Sequence, residues 1–280
     1  MSSLSIMSVF EAVILAVIQG LTEFLPISSS AHLALAPWLL GWKDQGLAFD
    51  IALHFGTLCA VIVYFFRDWM QLIAQGLGIP YAPDPWIARR PRLIWWLAAA
   101  TLPVGLVGLV VKPYVETSLR NPWVIGGMLI GVGLLMGWAD RAGRKNKQIH
   151  GITFYDAITI GAAQALAVVP GTSRSGITIV AGLFRGLDRH AAARFSFLLS
   201  TPAIAAAVAG QFLDLYKQGG IPEPMLAAVI TGTAMSAATG LAVIALFLNF
   251  LKKHSLQFFV YYRVFFGIIV IALAFFRRPV

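Results

Sequence analysis

The sequence predicts an all-α integral membrane protein, with six full transmembrane helices and two re-entrant helix pairs that form an inverted-topology repeat. Three observations support this fold class. Of the 280 residues, 59% are hydrophobic and only 12% are charged, whereas ordinary soluble domains carry roughly 25% charged residues. Apolar runs close to the ~20 residues that a helix needs to cross a bilayer recur along the chain. Finally, two apolar regions are each interrupted by a polar segment, and the two segments resemble each other.

Composition and charge exclude several classes of protein. A soluble cytosolic enzyme, a disordered chain or a fibrous repeat would not have a mean hydropathy of +0.79. The net charge of +9 indicates cytoplasmic loops and anionic lipid rather than nucleic acid, because membrane proteins carry excess Lys and Arg on their inner side. Lys and Arg are most frequent in the loops after the first, third and fifth predicted spans and in the turn 186–190. We therefore place these segments in the cytoplasm and both chain termini outside.

Six segments have the length and hydrophobicity of a full span. In chain order they are Phe49–Phe66, Ile94–Val111, Trp123–Ala139, Arg194–Leu213, Met225–Phe250 and Gln257–Phe276. Two further apolar regions, Val9–Leu40 and Phe154–Phe184, are interrupted, and we interpret each as two half-helices joined by a polar elbow. Non-helical backbone is tolerated at membrane depth only where protein or a wet cavity surrounds it. Both elbows are therefore candidate sites.

The first elbow is Pro26–Ser30 and the second is Pro170–Gly176, and their prolines are 144 positions apart, about half the chain. Each half of the chain would hold one broken pair followed by three spans. Because three is an odd number, the second half would lie inverted in the membrane, as in many transporters. We predict a single membrane domain over residues 1–280, with repeat halves at about 1–148 and 149–280, in which the two elbows meet near the midplane.

Both elbows have features of an anion site. Each precedes a helix, expected to begin near Ala31 and near Ile177, and helix N-termini present free N–H groups and a positive dipole end. Arg174 adds a fork of donors that suits phosphate. The candidate phosphate-binding residues combine elbow hydroxyls, a glycine and two arginines: Ser28, Ser30, Thr172, Ser173, Arg174, Ser175, Gly176 and Arg263. The alternatives are that the serines only cap helices, that Arg174 snorkels, and that Arg263 forms a buried pair with Glu23 or Asp50.

The first elbow adds groups that do chemistry. Gln19 and Glu23 are four residues apart and share a helix face. Ser29 and His32 are three residues apart, so we expect them to lie together at the start of the next half-helix. A carboxylate, a hydroxyl and an imidazole supply a base or metal ligand, a nucleophile and a proton carrier. The alternatives are that Gln19 bonds a neighbouring helix and that His32 is a satisfied buried polar residue.

These motifs resemble those of a known family. Gln19-x-x-x-Glu23-Phe-Leu-Pro-Ile-Ser-Ser-Ser-Ala-His32 and Pro170-Gly-Thr-Ser-Arg-Ser-Gly176 are similar to the two signature motifs of the bacterial undecaprenyl-pyrophosphate phosphatases of the bacitracin-resistance type. The resemblance extends to Phe195-Ser-Phe-Leu-Leu and Tyr262-Arg263. It implies a hydrolase of the bacterial inner membrane that removes one phosphate from a C55 polyprenyl pyrophosphate and so recycles the lipid carrier of peptidoglycan synthesis. It also implies a divalent cation (Mg²⁺ or Ca²⁺), a homodimer and a site open to the periplasm.

The resemblance also implies roles for individual residues. Glu23, Ser29, His32 and Arg174 are the expected catalytic residues, and Glu23 is the expected metal ligand. Gln19 is a second candidate ligand, although the family often has Glu there and Gln carries no charge. Ser29 is the preferred nucleophile, with His32 relaying its proton; attack by His32 itself or by water stays open. The competing class is an inverted-repeat transporter or flippase for an anionic polyprenyl lipid, which would use the elbows only for binding.

Overall fold

The structure, a computed structural model, describes residues 7–43, 45–114 and 119–276. Across these ranges the chain is helical, apart from one isolated bridge between Lys147 and Leu187. The helices, in chain order, are α1 (Val9–Phe24), α2 (Ser29–Leu40), α3 (Gly46–Tyr64), α4 (Phe66–Gly76), α5 (Pro85–Ala88), α6 (Leu93–Tyr114), α7 (Pro122–Ala142), α8 (Phe154–Gln164), α9 (Arg174–Phe184), α10 (Arg189–Lys217), α11 (Leu226–Leu251) and α12 (Gln257–Phe276).

Six of these helices, α3, α6, α7, α10, α11 and α12, are long and apolar enough to cross a membrane. The six predicted spans are thus confirmed in number and position, and the chain is a multi-pass helical membrane protein. The last span begins at the predicted residue, Gln257, and is helical through Phe276, the last residue described. The fourth begins at Arg189 instead of Arg194, because the Asp188 side chain accepts a hydrogen bond from the backbone N–H of Ala191 and caps the helix earlier.

The two interrupted regions each form two short helices, but the second helix of each begins earlier than predicted. Helix α2 begins at Ser29 rather than near Ala31, and α9 begins at Arg174 rather than near Ile177. Only residues 25–28 separate α1 from α2, and only residues 169–173 lie between the 3-10 turn at 165–168 and α9. The residues that follow Ser28 and Ser173 therefore lie in the first helical turns, not in the loops.

Side-chain caps stabilise the starts of two short helices, and close packing holds the long helices around them. Ser8 and Glu11 form a capping box at the start of α1, and Thr153 and Asp156 form another at the start of α8. Helices α3 and α11 pack so closely that a Cβ on Gly56 would lie 1.9 Å from the Ser236 hydroxyl oxygen. Helices α7 and α12 also pack together. These packed helices form the frame against which the elbows rest.

Helix α4 was not predicted from the sequence. It follows α3 directly, and Asp68 in its first turn pairs with Arg194 of α10, with a nitrogen–oxygen distance of 2.8 Å. Arg194 also pairs with Asp84 at 2.6 Å. These ion pairs join α4 and the segment before α5 to α10.

Candidate active site

The two elbows lie in direct contact, as the sequence predicted. The Ser175 hydroxyl donates a hydrogen bond to the Leu25 carbonyl oxygen at 3.0 Å. The guanidinium of Arg174 pairs with the Glu23 carboxylate at 3.3 Å. A polar cluster therefore forms where the start of α9 meets the end of α1, from residues about half a chain apart in sequence.

The elbows share an unusual backbone conformation. Ser28 has φ 79° and ψ 96°, and Ser173 has φ 69° and ψ 112°. Residues other than glycine adopt positive φ uncommonly, and such strained residues cluster at functional sites. In each elbow this serine pairs with the hydroxyl two residues later, Ser30 or Ser175, at 3.2 Å in both cases.

This shared geometry corrects the register inferred from the prolines. Ser28 corresponds to Ser173, an offset of 145 positions rather than 144, because the second elbow has one more residue between its proline and this serine. In the corrected register, Ser29 corresponds to Arg174. The predicted nucleophile and the predicted phosphate-binding arginine therefore stand at equivalent positions of two similar turns.

Glu23 is the centre of the polar cluster. One carboxylate oxygen accepts hydrogen bonds from the Ser29 hydroxyl at 2.7 Å and from the Gln19 amide at 3.1 Å. The other oxygen accepts from Arg174 at 3.3 Å. Glu23 is only 7% exposed, so these charge-assisted bonds are shielded from bulk water. The arrangement lets Glu23 take the Ser29 proton while Arg174 balances its charge.

His32 is turned away from this cluster. Its Nδ1 lies 2.7 Å from the Ser28 carbonyl oxygen and its Nε2 lies 2.6 Å from the Tyr262 hydroxyl oxygen. Because a carbonyl only accepts, Nδ1 carries the proton and Nε2 accepts from Tyr262. The ring also stacks on Phe266, with centroids 4.7 Å apart. The expected pairing of Ser29 with His32 is therefore not observed, because the Ser28 carbonyl and Tyr262 of α12 occupy the two imidazole nitrogens.

The remaining candidate phosphate-binding residues occupy both elbows. The Ser173 hydroxyl accepts a hydrogen bond from the Gly176 N–H at 3.1 Å and so caps α9, which matches the capping alternative. Ser28 makes no such side-chain cap. The Thr172 hydroxyl and the Arg174 Nε are buried and find no hydrogen-bond partner among the described residues. Buried polar atoms need partners, so these two atoms are available to a ligand.

Arg263 is fully buried and bonds backbone carbonyl oxygens. Its hydrogen bonds go to the carbonyls of Pro26, Met128, Leu129, Gly171 and Thr172, at 2.9 to 3.2 Å. The alternative of a pair with Glu23 is not observed, because Glu23 is engaged by Arg174. As a phosphate ligand, Arg263 would have to give up some of these bonds.

The donor set fits a divalent cation only in part. Within the described ranges, no group of three or more His, Cys, Asp or Glu side chains converges on a metal position. Beside Glu23, the Gln19 side-chain oxygen is buried and has no hydrogen-bond partner within the described part of the chain. Mg²⁺ commonly uses one or two carboxylates together with waters and substrate phosphates. The residues therefore fit a cation that is shared with a bound phosphate group.

Two further residues were missed as candidates. Tyr262, which bonds His32, appeared only within a motif. Gln164 is fully buried, and neither its amide nitrogen nor its oxygen has a partner among the described residues. Gln164 begins the stretch before Pro170 as Gln19 begins the stretch before Pro26, but only the first stretch has a carboxylate, Glu23, to accept from the glutamine amide. This parallel was the signal that could have identified Gln164.

Comparison with known proteins gives matches along nearly the whole chain. The family described as bacitracin resistance protein BacA matches residues 12–269. A protein named undecaprenyl-diphosphatase from Desulforudis audaxviator is 46% identical over 272 residues, covering 97% of this chain and 100% of that protein. Proteins of the same name from Moorella thermoacetica and Thermodesulfovibrio yellowstonii are 43% and 44% identical, covering 97% and 96% of this chain and 100% and 98% of their own lengths.

Proposed function

The chain belongs to the bacitracin resistance protein BacA family, and on that premise we propose that it is an undecaprenyl-diphosphatase. It hydrolyses undecaprenyl pyrophosphate to undecaprenyl phosphate and inorganic phosphate, and thereby recycles the lipid carrier for peptidoglycan synthesis. The observation that carries this proposal is the contact of Glu23 with both Ser29 and Arg174. It brings together a nucleophilic hydroxyl, a carboxylate base and a guanidinium that can bind phosphate. No comparison favours the transporter alternative.

The proposed architecture has two re-entrant helix pairs related by an inverted repeat, with halves at about 1–148 and 149–280. Helices α1, α2, α8 and α9 have 16, 12, 11 and 11 residues, shorter than the ~17–25 residues of a full span. The matching turns at Ser28 and Ser173 support the repeat. With the loop charges, this architecture suits a homodimer in the bacterial inner membrane whose site opens to the periplasm.

Substrate binding follows from the polar groups of the elbows. The pyrophosphate lies between the N-termini of α2 and α9, where free N–H groups and helix dipoles favour an anion. Arg174 binds the terminal phosphate, and its buried Nε and the Thr172 hydroxyl gain the partners that they lack in the free protein. The polyprenyl tail stays among the lipid-facing helices.

The chemical step starts at Ser29. Its hydroxyl oxygen attacks the terminal phosphorus, and its proton passes to Glu23, whose oxygen lies 2.7 Å away. The bond to the bridging oxygen breaks, undecaprenyl phosphate leaves, and Arg174 stabilises the charge on the transferred phosphoryl group. Glu23 gives the Ser29 proton to the departing phosphate and is again a carboxylate. Water then attacks the phosphoserine: Glu23 takes the water proton and returns it to the Ser29 oxygen as the serine–phosphate bond breaks and inorganic phosphate leaves. His32 holds the turn through Ser28, because both of its nitrogens are occupied.

A divalent cation, when bound, would neutralise charge on the pyrophosphate. Glu23 and the unpartnered Gln19 oxygen are the residues that would hold it. Gln19 also donates to Glu23, which keeps the carboxylate oriented toward Ser29.

Phosphate release by the purified, detergent-solubilised protein tests the proposed function. We expect release from undecaprenyl pyrophosphate, and acid quenching in the steady state should trap phosphate on Ser29. Glu11→Gln is a matched control for Glu23→Gln, since Glu11 lies on the same helix, at its exposed end. Movement of the lipid across vesicles without phosphate release would contradict the hydrolase and favour the transporter.

A further inference from the structure

Arg263 joins three parts of the molecule that are far apart in sequence. Its guanidinium, carried by α12, bonds the Pro26 carbonyl of the first elbow and the Gly171 and Thr172 carbonyls of the second. It also bonds the carbonyls of Met128 and Leu129 on α7.

We propose that Arg263 is a positioning residue, which clasps the two elbows to each other and to the α7–α12 pair. A guanidinium presents five N–H groups in one plane, and four of them are needed to reach these five carbonyls, because Nη2 serves three. Because backbone carbonyls occupy four of the five N–H groups, Arg263 has little donor capacity left for a phosphate and fits a positioning role better.

The clasp orients the peptide groups of the second elbow. A trans peptide points its carbonyl and the following N–H in opposite directions. Because the Thr172 carbonyl faces Arg263, the N–H of Ser173 faces away from it, on the side opposite the guanidinium. Arg263 therefore holds in place the turn from which the N–H groups of α9 emerge.

The clasp also offsets local strain. Ser28 and Ser173 have positive φ, a strained conformation for residues other than glycine. The second elbow also lies close against α7, where a Cβ on Gly171 would be 2.6 Å from the Ile125 carbonyl oxygen. The backbone at Gly171 therefore has little room to move toward α7. Without the guanidinium, five buried carbonyls would lose a donor and both turns could relax.

Hydrogen–deuterium exchange in the substrate-free protein tests the clasp directly. We expect Arg263→Gln to raise amide exchange in peptides covering residues 25–31 and 171–177 by about tenfold or more, because local opening exposes these amides. Arg263→Lys retains the charge but has only three donors, so its exchange should be intermediate. Peptides of α3 and α11 should be unchanged.

Arg194→Gln is the matched control, because it also removes a hydrogen-bonded arginine from a span, but a partly buried one that pairs with Asp68 and Asp84. It should leave exchange in the elbows unchanged. If Arg263→Gln does not fold, Arg263→Lys provides the same comparison. Exchange at wild-type rates in both elbows of the variant that folds would overturn the clasp, and so would an equal rise in Arg194→Gln.

The effect on turnover rests on the proposed function. We expect kcat to fall about a hundredfold in Arg263→Gln and less in Arg263→Lys, together with the faster exchange. A raised KM with wild-type exchange in the substrate-free protein would identify Arg263 as a phosphate ligand and overturn the clasp. If the wild-type protein releases no phosphate, the proposed function fails, while the exchange experiment still decides the role of Arg263.

Discussion

The first and second elbows have nearly the same backbone but opposite chemistry. Both turn at a serine with positive φ, and both pair that serine with a hydroxyl two residues later. In the shared register, Ser29 of the first elbow corresponds to Arg174 of the second, and the chain before the second elbow has no carboxylate in the place of Glu23. One turn therefore supplies the acid–base groups and the other supplies the cation. A site exists only because the two turns touch.

The elbows also differ in how the following helix is capped. The Ser173 hydroxyl accepts from the Gly176 N–H, whereas Ser28 makes no side-chain cap and its carbonyl bonds His32 instead. The N–H groups of Ser30 and Ala31 in the first turn of α2 therefore find no acceptor in the Ser28 side chain. This difference favours α2 as the helix whose N–H groups are free for a phosphate.

Removing the charge of Glu23 should lower turnover more than any other change, because Glu23 is the base that the first elbow supplies. In Glu23→Gln the side chain keeps its shape, but Ser29 loses its base and Arg174 loses its partner. We expect kcat to fall by roughly 10³-fold or more, and excess Mg²⁺ should not restore it. The assay is phosphate release, with Glu11→Gln as control. An active Glu23→Gln enzyme would show that the first elbow does not supply the base.

Changing Arg174 tests the second elbow. Arg174→Lys keeps the charge but loses the planar fork, and Arg174→Ala loses both. We expect each to reduce turnover by roughly 10²–10³-fold, the scale of losing a main transition-state donor, with folding retained. Circular dichroism checks the fold, and phosphate release measures activity. Near-normal turnover in Arg174→Ala would make the second elbow a purely structural copy of the first.

A pair of double-mutant cycles tests which residue works with Ser29. Ser29→Ala should lower kcat by roughly 10²-fold or more, and combining it with Glu23→Gln should be little worse than the worse single change, because the two act as one unit. Ser29→Ala with His32→Ala should instead be close to additive, since His32 bonds Ser28 and Tyr262. If the Ser29 and His32 changes are non-additive while the Ser29 and Glu23 changes add, His32 and not Glu23 relays the proton. Near-normal turnover in Ser29→Ala would leave water as the nucleophile.

The smallest expected effects come from the two equivalent glutamines. Gln19→Ala should lower turnover by only about tenfold, because a neutral amide orients Glu23 without taking its proton, and Gln19→Glu should be tolerated. Gln164→Leu should change turnover by less than about threefold and raise thermal stability, since an unsatisfied buried polar group costs roughly 1–3 kcal/mol. Thermal melting in detergent measures the stability, and phosphate release measures the turnover. A Gln164→Leu enzyme that loses most activity would place this amide in the substrate site.

Several parts of the fold and of the site could be predicted from the sequence. The last span begins at its predicted residue, Gln257, because hydropathy alone defines a segment that lies in a uniform apolar environment. The contact of Gln19 with Glu23 follows from helical spacing. The starts of α2 and α9 were predicted too late, since a serine with positive φ cannot be distinguished by sequence from a serine in an ordinary loop.

Composition and local periodicity determined by themselves that this chain is helical, that it has six spans and that its polar elbows interrupt two apolar regions. Only the tertiary structure decided which groups meet. Ser29 bonds Glu23 and not its helical neighbour His32, which bonds Tyr262, 230 residues away. Arg263 reaches Pro26 across 237 residues. Periodicity places side chains on a face, whereas hydrogen-bond partners depend on which distant backbone and side-chain groups the folded helices bring within about 3 Å.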